Sequence, residues 1–163
     1  MAIAGLLIAT AVLRAQESKA KEQADLAAAL KAAKISLQKG LSASQSQGTP
    51  ISGKFEVEDG KLQLSVYTMK GDKFSEVIVD HATGTISKTE AITSGDDLTA
   101  AKAQSEAMAK AKVSLAAATD KALSASKGFR AVSVVPALKD GHPVADITLA
   151  KGGDFKTVSQ NLD

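Results

Sequence analysis

Residues 53–86 read GKFEVEDGKLQLSVYTMKGDKFSEVIVDHATGTI, and this stretch decides the fold. Apolar and polar residues alternate in it with a period of two, which is the spacing of strands with one buried face. Asp59-Gly60 divides the alternation with residue types that suit the positive φ angles of a type I′ turn. The predicted strands cover residues 54–58, 62–66, 74–79 and 85–88. The stretch therefore predicts an antiparallel meander.

A helical region precedes the meander. Leu26, Leu30 and Leu37 follow a spacing that places them on one side of a helix, and the region is rich in Ala, which favours helix. Ser36 is a residue type that caps helices, so the pattern fits either one bent helix or two. Gly40 marks a predicted stop or kink.

The same pattern occurs a second time along the chain. Four short matches keep their order: AKISL at residues 33–37 with AKVSL at 111–115, LSAS at 41–44 with LSAS at 123–126, Asp59-Gly60 with Asp140-Gly141, and Phe74 with Phe155. The shared order and the nearly constant offset indicate a duplication. The sequence thus predicts an α+β fold of two tandem units, each an Ala-rich helix or helix pair packed on a small antiparallel β-meander sheet.

The repeat divides the chain into three predicted segments. Residues 1–20 form a signal peptide or an N-terminal hydrophobic anchor, residues 21–92 the first unit and residues 93–163 the second unit. Ala2 to Leu13 is apolar, and as a helix it would be about 18 Å long, short of a hydrocarbon core of about 30 Å. No Lys or Arg precedes it, which leaves open a cleaved signal, a retained anchor or partner-binding helix, and a core helix.

Composition narrows the class of function. The 163 residues include 20 Lys and Arg against 18 Asp and Glu, and only 3% are aromatic, so few side chains are suited to stacking on bases. We therefore expect no nucleic-acid partner. The chain has no Cys, which excludes disulfides and thiolate metal sites.

The end of the meander, from Val77 to Ile86, has the most specific pattern. A strand is followed by an Asp-x-x-Thr-Gly turn made by Asp80, Thr83 and Gly84, and then by a closing strand. With this order of elements the chain resembles the PepSY domain family over about residues 33–92, and more faintly over about residues 111–163. The second unit departs from the family where residues 160–163 replace the turn.

The resemblance implies a small α+β module located outside the cytoplasm. A role proposed for the family is the inhibition or regulation of peptidases. The resemblance brings no catalytic residues and no cofactor. An Asp carboxylate accepts backbone N–H groups two or three residues further on, and Gly takes a positive φ, so we expect a structural role for Asp80, Thr83 and Gly84. An ion or ligand contact at this turn is the alternative.

The other candidate groups do not form a catalytic arrangement. His81 and His142 are the two His of the chain and lie in different units, and no Gly-x-Ser-x-Gly elbow is present. Glu56, Glu58 and Asp59 are flanked by Lys and fit a solvated, charge-paired face, because paired catalytic acids need burial. We expect no enzymatic activity, no metal and no cofactor.

These features predict an exported, non-enzymatic module, periplasmic or extracellular, that binds a protein or peptide and regulates or inhibits a peptidase. Edge strands and a shared concave sheet face are the expected binding surfaces. The alternative is an accessory or structural subunit of a cell-envelope or membrane complex, held by its N-terminal hydrophobic helix. Membrane contact is expected only if Ala2 to Leu13 is retained.

Overall fold

The computed structural model describes residues 6–163, with side chains from Arg14 onward, and has an α+β fold. The helices of the described chain are α1 (Leu6–Ala29), α2 (Leu37–Ser44), α3 (Gly95–Lys110) and α4 (Leu115–Ser124), with a 3-10 turn at Leu30–Ala32. The strands are β1 (Thr49–Glu58), β2 (Lys61–Lys70), β3 (Lys73–Val79), β4 (Ile86–Ile92), β5 (Arg130–Lys139), β6 (His142–Lys151) and β7 (Asp154–Asn161). The α+β prediction is therefore confirmed.

All the strands belong to one antiparallel sheet, in the order β4-β3-β2-β1-β5-β6-β7. Strands from the first half of the chain lie on one side of the sheet, and strands from the second half lie on the other. They join where β1 pairs with β5, with Gly53 opposite Val134 and Lys54 opposite Ser133. A short backbone ladder therefore links the two halves.

Equivalent hairpins begin each half of the sheet. The φ angle is +49° at Asp59 and +74° at Gly60, and it is +52° at Asp140 and +81° at Gly141. A type I′ turn needs positive φ at both central residues, which Gly takes freely and Asp tolerates. The Asp-Gly pairs thus set the register of both hairpins.

Each helical region is a pair of helices, and a Ser hydroxyl caps the second helix of each pair. Ser36 accepts a hydrogen bond from the backbone N–H of Lys39, and Ser114 accepts one from that of Ala117, both at 3.1 Å. These bonds satisfy N–H groups that have no partner inside the helix. Of the two arrangements left open by the sequence, the structure has two helices in each half.

Gly40 does not end or kink a helix, so that prediction was wrong. It is buried inside α2, and a Cβ at this position would lie 2.4 Å from Cδ2 of Leu64, a fully buried residue of β2. Close packing of helix on sheet, rather than backbone conformation, is what requires a glycine here. In the second half, the residue that lies four positions after its capping Ser, as Gly40 does after Ser36, is Ala118.

The main core lies between the sheet and the helices α2 and α4. Its buried members come from both halves of the chain and include Leu37, Leu41, Phe55, Leu64, Val66, Val77, Val79, Leu115, Ala118, Val134, Ile147, Leu149 and Leu162. Side chains along a strand alternate between the two faces of a sheet, so the residues between these point to the opposite face. A single cluster thus joins both halves.

Helix α3 lies on the opposite face of the sheet. It covers a smaller cluster of Ile51, Tyr67, Phe74 and Ala101. Polar contacts also fix it there, because the Tyr67 hydroxyl donates to Asp97 Oδ1 at 2.7 Å. We call this the α3 face.

Of the α1 side chains that the structure describes, those that pack against the core lie towards its C-terminal end. Residues 14–22 are all exposed, whereas Leu26 and Leu30 pack against the main core. Arg130 holds this end, because its Nη1 donates to the Leu30 carbonyl at 2.8 Å and its guanidinium lies 5.4 Å from the centroid of the Phe55 ring.

The prediction of a signal or anchor at residues 1–20 rests mainly on Ala2 to Leu13. Residues 1–5 and the side chains of residues 6–13 lie outside the described part of the chain. Among the described residues, no helix has the length and apolar character needed to cross a membrane.

Candidate functional site

A row of side chains crosses the whole sheet on the α3 face. The row takes one residue from each strand, and each residue lies opposite the next: Lys88, Ile78, Ser65, Lys54, Ser133, Thr148 and Thr157, from β4 to β7. Charged and hydroxyl side chains flank the row on the same face: Glu56, Glu76, Glu90, Asp146 and Ser159. We call these twelve residues the polar face.

The charges of the polar face form close pairs with nearby Lys and carboxylate groups. The nitrogen–oxygen distances are 2.6 Å for Lys54–Glu56, 2.8 Å for Lys88–Glu90 and 2.8 Å for Lys139–Asp146. The side chains are 28–60% exposed, and pairs of this kind contribute at most about 1 kcal/mol to stability. These ion pairs therefore make the face polar but contribute little to the stability of the fold.

Asp146 is the most strongly held acid of this face. Burial opposes ionisation of Asp146, but hydrogen bonds from Lys139 and Ser159 and the Lys139 charge outweigh it and lower the pKa of the carboxyl. Glu76 accepts a hydrogen bond from the Ser65 hydroxyl in the same way. Hydroxyl groups thus bind the acids of both halves to the sheet.

A pocket of about 220 Å³ opens where α3 meets the polar face. Gly53, Lys54 and Val135 line it from the junction of the two halves, and Tyr67 and Gln104 line it from β2 and α3. Burial and then the hydrogen bond to Asp97 raise the pKa of the Tyr67 hydroxyl well above its usual range, so the hydroxyl keeps its proton. The Oε1 atom of Gln104 is buried and accepts no hydrogen bond from the described residues.

The residues of the Asp-x-x-Thr-Gly turn, Asp80, Thr83 and Gly84, lie between β3 and β4. Asp80 Oδ1 accepts hydrogen bonds from the N–H groups of Ala82 and Thr83, both at 2.8 Å. Gly84 has a φ of +79°, and its N–H donates to the Asp80 carbonyl at 2.8 Å. The bonds from Thr83 and Ala82 lower the pKa of the Asp80 carboxyl. These contacts hold the turn.

A carbonyl just after the third strand of each half holds the chain segment before the second helix of each pair. Two pairs of N–H groups donate to these carbonyls: Lys34 at 2.9 Å and Ile35 at 3.1 Å to His81, and Lys112 at 2.6 Å and Val113 at 2.9 Å to Leu162. The Leu162 carbonyl thus makes the same kind of contact as the His81 carbonyl, although residues 160–163 do not have the Asp-x-x-Thr-Gly sequence.

The other sequence candidates do not come together. His142 Nδ1 lies 2.7 Å from Asp163 Oδ2 on the surface, a contact that lowers the pKa of Asp163, whereas His81 follows β3. Glu56 joins the polar face, while Glu58 and Asp59 are exposed at the first hairpin. Within the described residues no group of three or more His, Cys, Asp or Glu is placed to hold a metal ion.

Sequence reasoning missed Tyr67, Asp97 and Gln104 as parts of one pocket. The alternation in β2 placed Tyr67 on the less apolar face, but no local pattern in α3 indicated which strand that helix would meet. In comparisons with family models, with curated proteins and with solved structures, nothing matched the chain. The resemblance to the PepSY family therefore stays a prediction from the sequence.

Proposed function

We propose that the chain is an exported, non-enzymatic module that binds a partner protein through the polar face. The observation that carries this proposal is the row of side chains across all the strands. Six spacings of about 4.8 Å make the row about 29 Å long, which is the scale of a protein–protein interface. Ser65 of the row is buried, whereas Lys88, Lys54 and Thr157 are exposed along its length. Exposed groups spread over both halves in this way suit a protein better than a small molecule.

The pocket beside Gly53 supplies the anchor point of the proposed interface. Binding energy at protein interfaces is concentrated in a few side chains that fill pockets near the centre. This pocket lies at the junction of the halves, where Lys54 and Tyr67 line it beside the apolar Val135. The paired charges of the polar face would form the polar rim.

The proposal includes two tandem PepSY-like units. Two observations support a duplication beyond the short sequence matches. The register shifts in β1 and β5 leave Ile51 and Val132 unpaired, and these residues are 81 positions apart. Gly53 pairs with Val134, which is also 81 positions later. When a residue of one repeat pairs with the equivalent residue of the other repeat, the two repeats are related by an approximate two-fold axis, which here passes through the junction of β1 and β5.

The partner that we propose is a peptidase, whose activity the module would regulate or inhibit. This step rests on the resemblance to the PepSY family and on a location outside the cytoplasm. It predicts that the purified chain lowers the activity of its partner peptidase at a ratio of one to one.

Photo-crosslinking in the native cells tests the binding face. Lys54 is replaced by p-benzoylphenylalanine at the centre of the polar face, and Lys121 is replaced in the same way on α4 as the matched control. We expect the Lys54 position, and not the Lys121 position, to crosslink to one exported peptidase. Lys54→Glu should then weaken binding of that purified peptidase, while Lys121→Glu should not. Equal crosslinking from both positions, or none from Lys54, would contradict the proposal.

A second candidate is an accessory subunit of an envelope or membrane complex, held by its N-terminal helix. The exposure of every residue from 14 to 22 on α1 favours it, because a partner could cover this part of the helix. The intact mass of the protein from its native source separates the candidates. A retained Ala2 to Leu13 would support the accessory subunit, and a mass beginning near Gln16 or Lys21 would exclude it.

A further inference from the structure

The two outer strands of the sheet are β4 and β7. β4 carries the Lys88–Glu90 ion pair, and charged side chains are a usual protection of an edge against pairing with other chains. β7 contains no Pro, and it has two charged residues, Asp154 and Lys156, as many as β4 has. Among the described residues it pairs with β6 alone. Its outer edge therefore offers unpaired N–H and C=O groups.

β7 is the counterpart of β3. Phe155 lies opposite Ala150 of β6 as Phe74 lies opposite Met69 of β2, with an offset of 81 residues on both strands. Val158 likewise corresponds to Val77, again 81 residues earlier.

The outer edge of β3 is paired with β4, and this pairing indicates what kind of segment would pair with the outer edge of β7. β4 pairs with β3 in antiparallel register and places Ile92 opposite Phe74. Phe74 is 9% exposed and Val77 is fully buried, whereas their counterparts Phe155 and Val158 remain half-buried. The edge of β7 thus leaves apolar surface exposed that a further strand would help to cover.

We infer that β7 binds an extended peptide segment of a partner protein, which adds to the sheet as an antiparallel strand in the manner of β4. Backbone hydrogen bonds provide the general affinity in this mode, and alternate side chains provide the selectivity. The register of β3 and β4 predicts an aliphatic residue opposite Phe155. In the first half this register places two acids opposite each other, Glu76 and Glu90. In the second half Thr157 stands at the position of Glu76, so the same repulsion does not arise on β7.

This inference rests on the duplication proposed above but does not use the polar-face pocket. Its probe is a fluorescent peptide with the sequence of residues 85–93, TISKTEAIT, titrated into the full chain and followed by anisotropy. We expect saturable binding that weakens about tenfold or more when Ile92 of the peptide is changed to Asp, since a buried aliphatic contact is lost. Amide signals of β7 should shift in an NMR titration, and those of β3 should not.

A charge swap tests the register. Thr157→Glu should weaken binding of the peptide, because it restores the opposition of two acids, and Thr157→Gln serves as the matched control. A peptide with Glu90→Lys should recover the affinity for the Thr157→Glu variant. Thr157 is exposed, so both variants should keep the fold.

Four results would overturn the inference. They are the absence of saturable binding, an affinity that Thr157→Glu leaves unchanged, NMR shifts at β3 that indicate displacement of β4, and a concentration-dependent dimer in which a second copy occupies the edge of β7. Thr157 also belongs to the polar face, so the Lys54 crosslinks are recorded with Thr157 unchanged. None of the four results alters those crosslinks, so failure here is distinguishable from failure of the proposed function.

Discussion

Gly40→Ala is expected to destabilise the protein, although Ala is the better helix former. The substitution gains about 1 kcal/mol of helix propensity. The new Cβ would lie 2.4 Å from Leu64 Cδ2 and 3.1 Å from Leu64 Cγ, whereas carbon atoms pack at about 3.5–4.0 Å. Leu64 is fully buried, so relieving the overlap costs about 1–3 kcal/mol. We expect a net loss of about 1 kcal/mol in the free energy of unfolding.

A double-mutant cycle with Leu64→Ala makes this expectation quantitative. Leu64→Ala alone should cost about 3 kcal/mol, as core Leu-to-Ala changes usually do. In the double variant the obstruction is gone and the propensity gain is realised, so the total loss should be about 2 kcal/mol. Simple addition would give about 4 kcal/mol, and the coupling is therefore about 2 kcal/mol. The second half holds the same combination, with Ala118 and Ala145 at the corresponding positions.

Urea denaturation followed by far-UV circular dichroism measures all the variants. The exposed Ser42→Ala on the same helix is the matched control, and its effect should stay within about 0.5 kcal/mol. If Gly40→Ala stabilises the protein by the full propensity difference, or if the cycle is additive, the close contact of α2 with β2 does not limit this position.

Three further predictions concern the contacts between the halves and the turn. Arg130→Lys should cost about 1–2 kcal/mol in urea denaturation, because Lys cannot donate to the Leu30 carbonyl while stacking on Phe55, and an unchanged midpoint would contradict this. Folding lowers the pKa of the Asp80 carboxyl. The stability that Asp80 contributes is therefore present above its unfolded-state pKa of about 3.9, and it is lost as the pH falls through its folded-state pKa. Asp80→Asn should consequently flatten the pH dependence of the free energy of unfolding below about pH 4. Because one core joins the halves, hydrogen exchange should give the central amides of β2 and β6 the same opening free energy, and two separate values would show independent units.

Local signals in the sequence were sufficient for the elements of the fold. The Asp-Gly pairs have the positive φ angles that their residue types require, and the alternation around them identified the strands. Ser36 and Ser114 marked the starts of α2 and α4, because a cap is an interaction over three residues. Such features are readable because each depends on neighbours along the chain. The same holds for Asp80, whose partners Ala82 and Thr83 are two and three residues away.

Features that depend on contacts between residues far apart in the sequence could not be predicted. The role of Gly40 was misread because Leu64, its reason for being a glycine, is 24 residues away on another element. The LSAS match was equally misleading: Leu41 is the fifth residue after its capping Ser, and Leu123 is the ninth. Periodicity reports which residues face inward, but it does not report what they face.

The sequence by itself determined the α+β class, the Asp-Gly turns and the approximate positions of the strands. Only the tertiary structure decided that β1 pairs with β5, so that all the strands form one sheet and the polar face extends across it. The physical reason is that the hydrogen-bonding groups at a strand edge, the backbone N–H and C=O, are the same for every residue except Pro. The sequence of a strand therefore does not specify which strand pairs with it, and the packing of the helices on both faces of the sheet decides the partner.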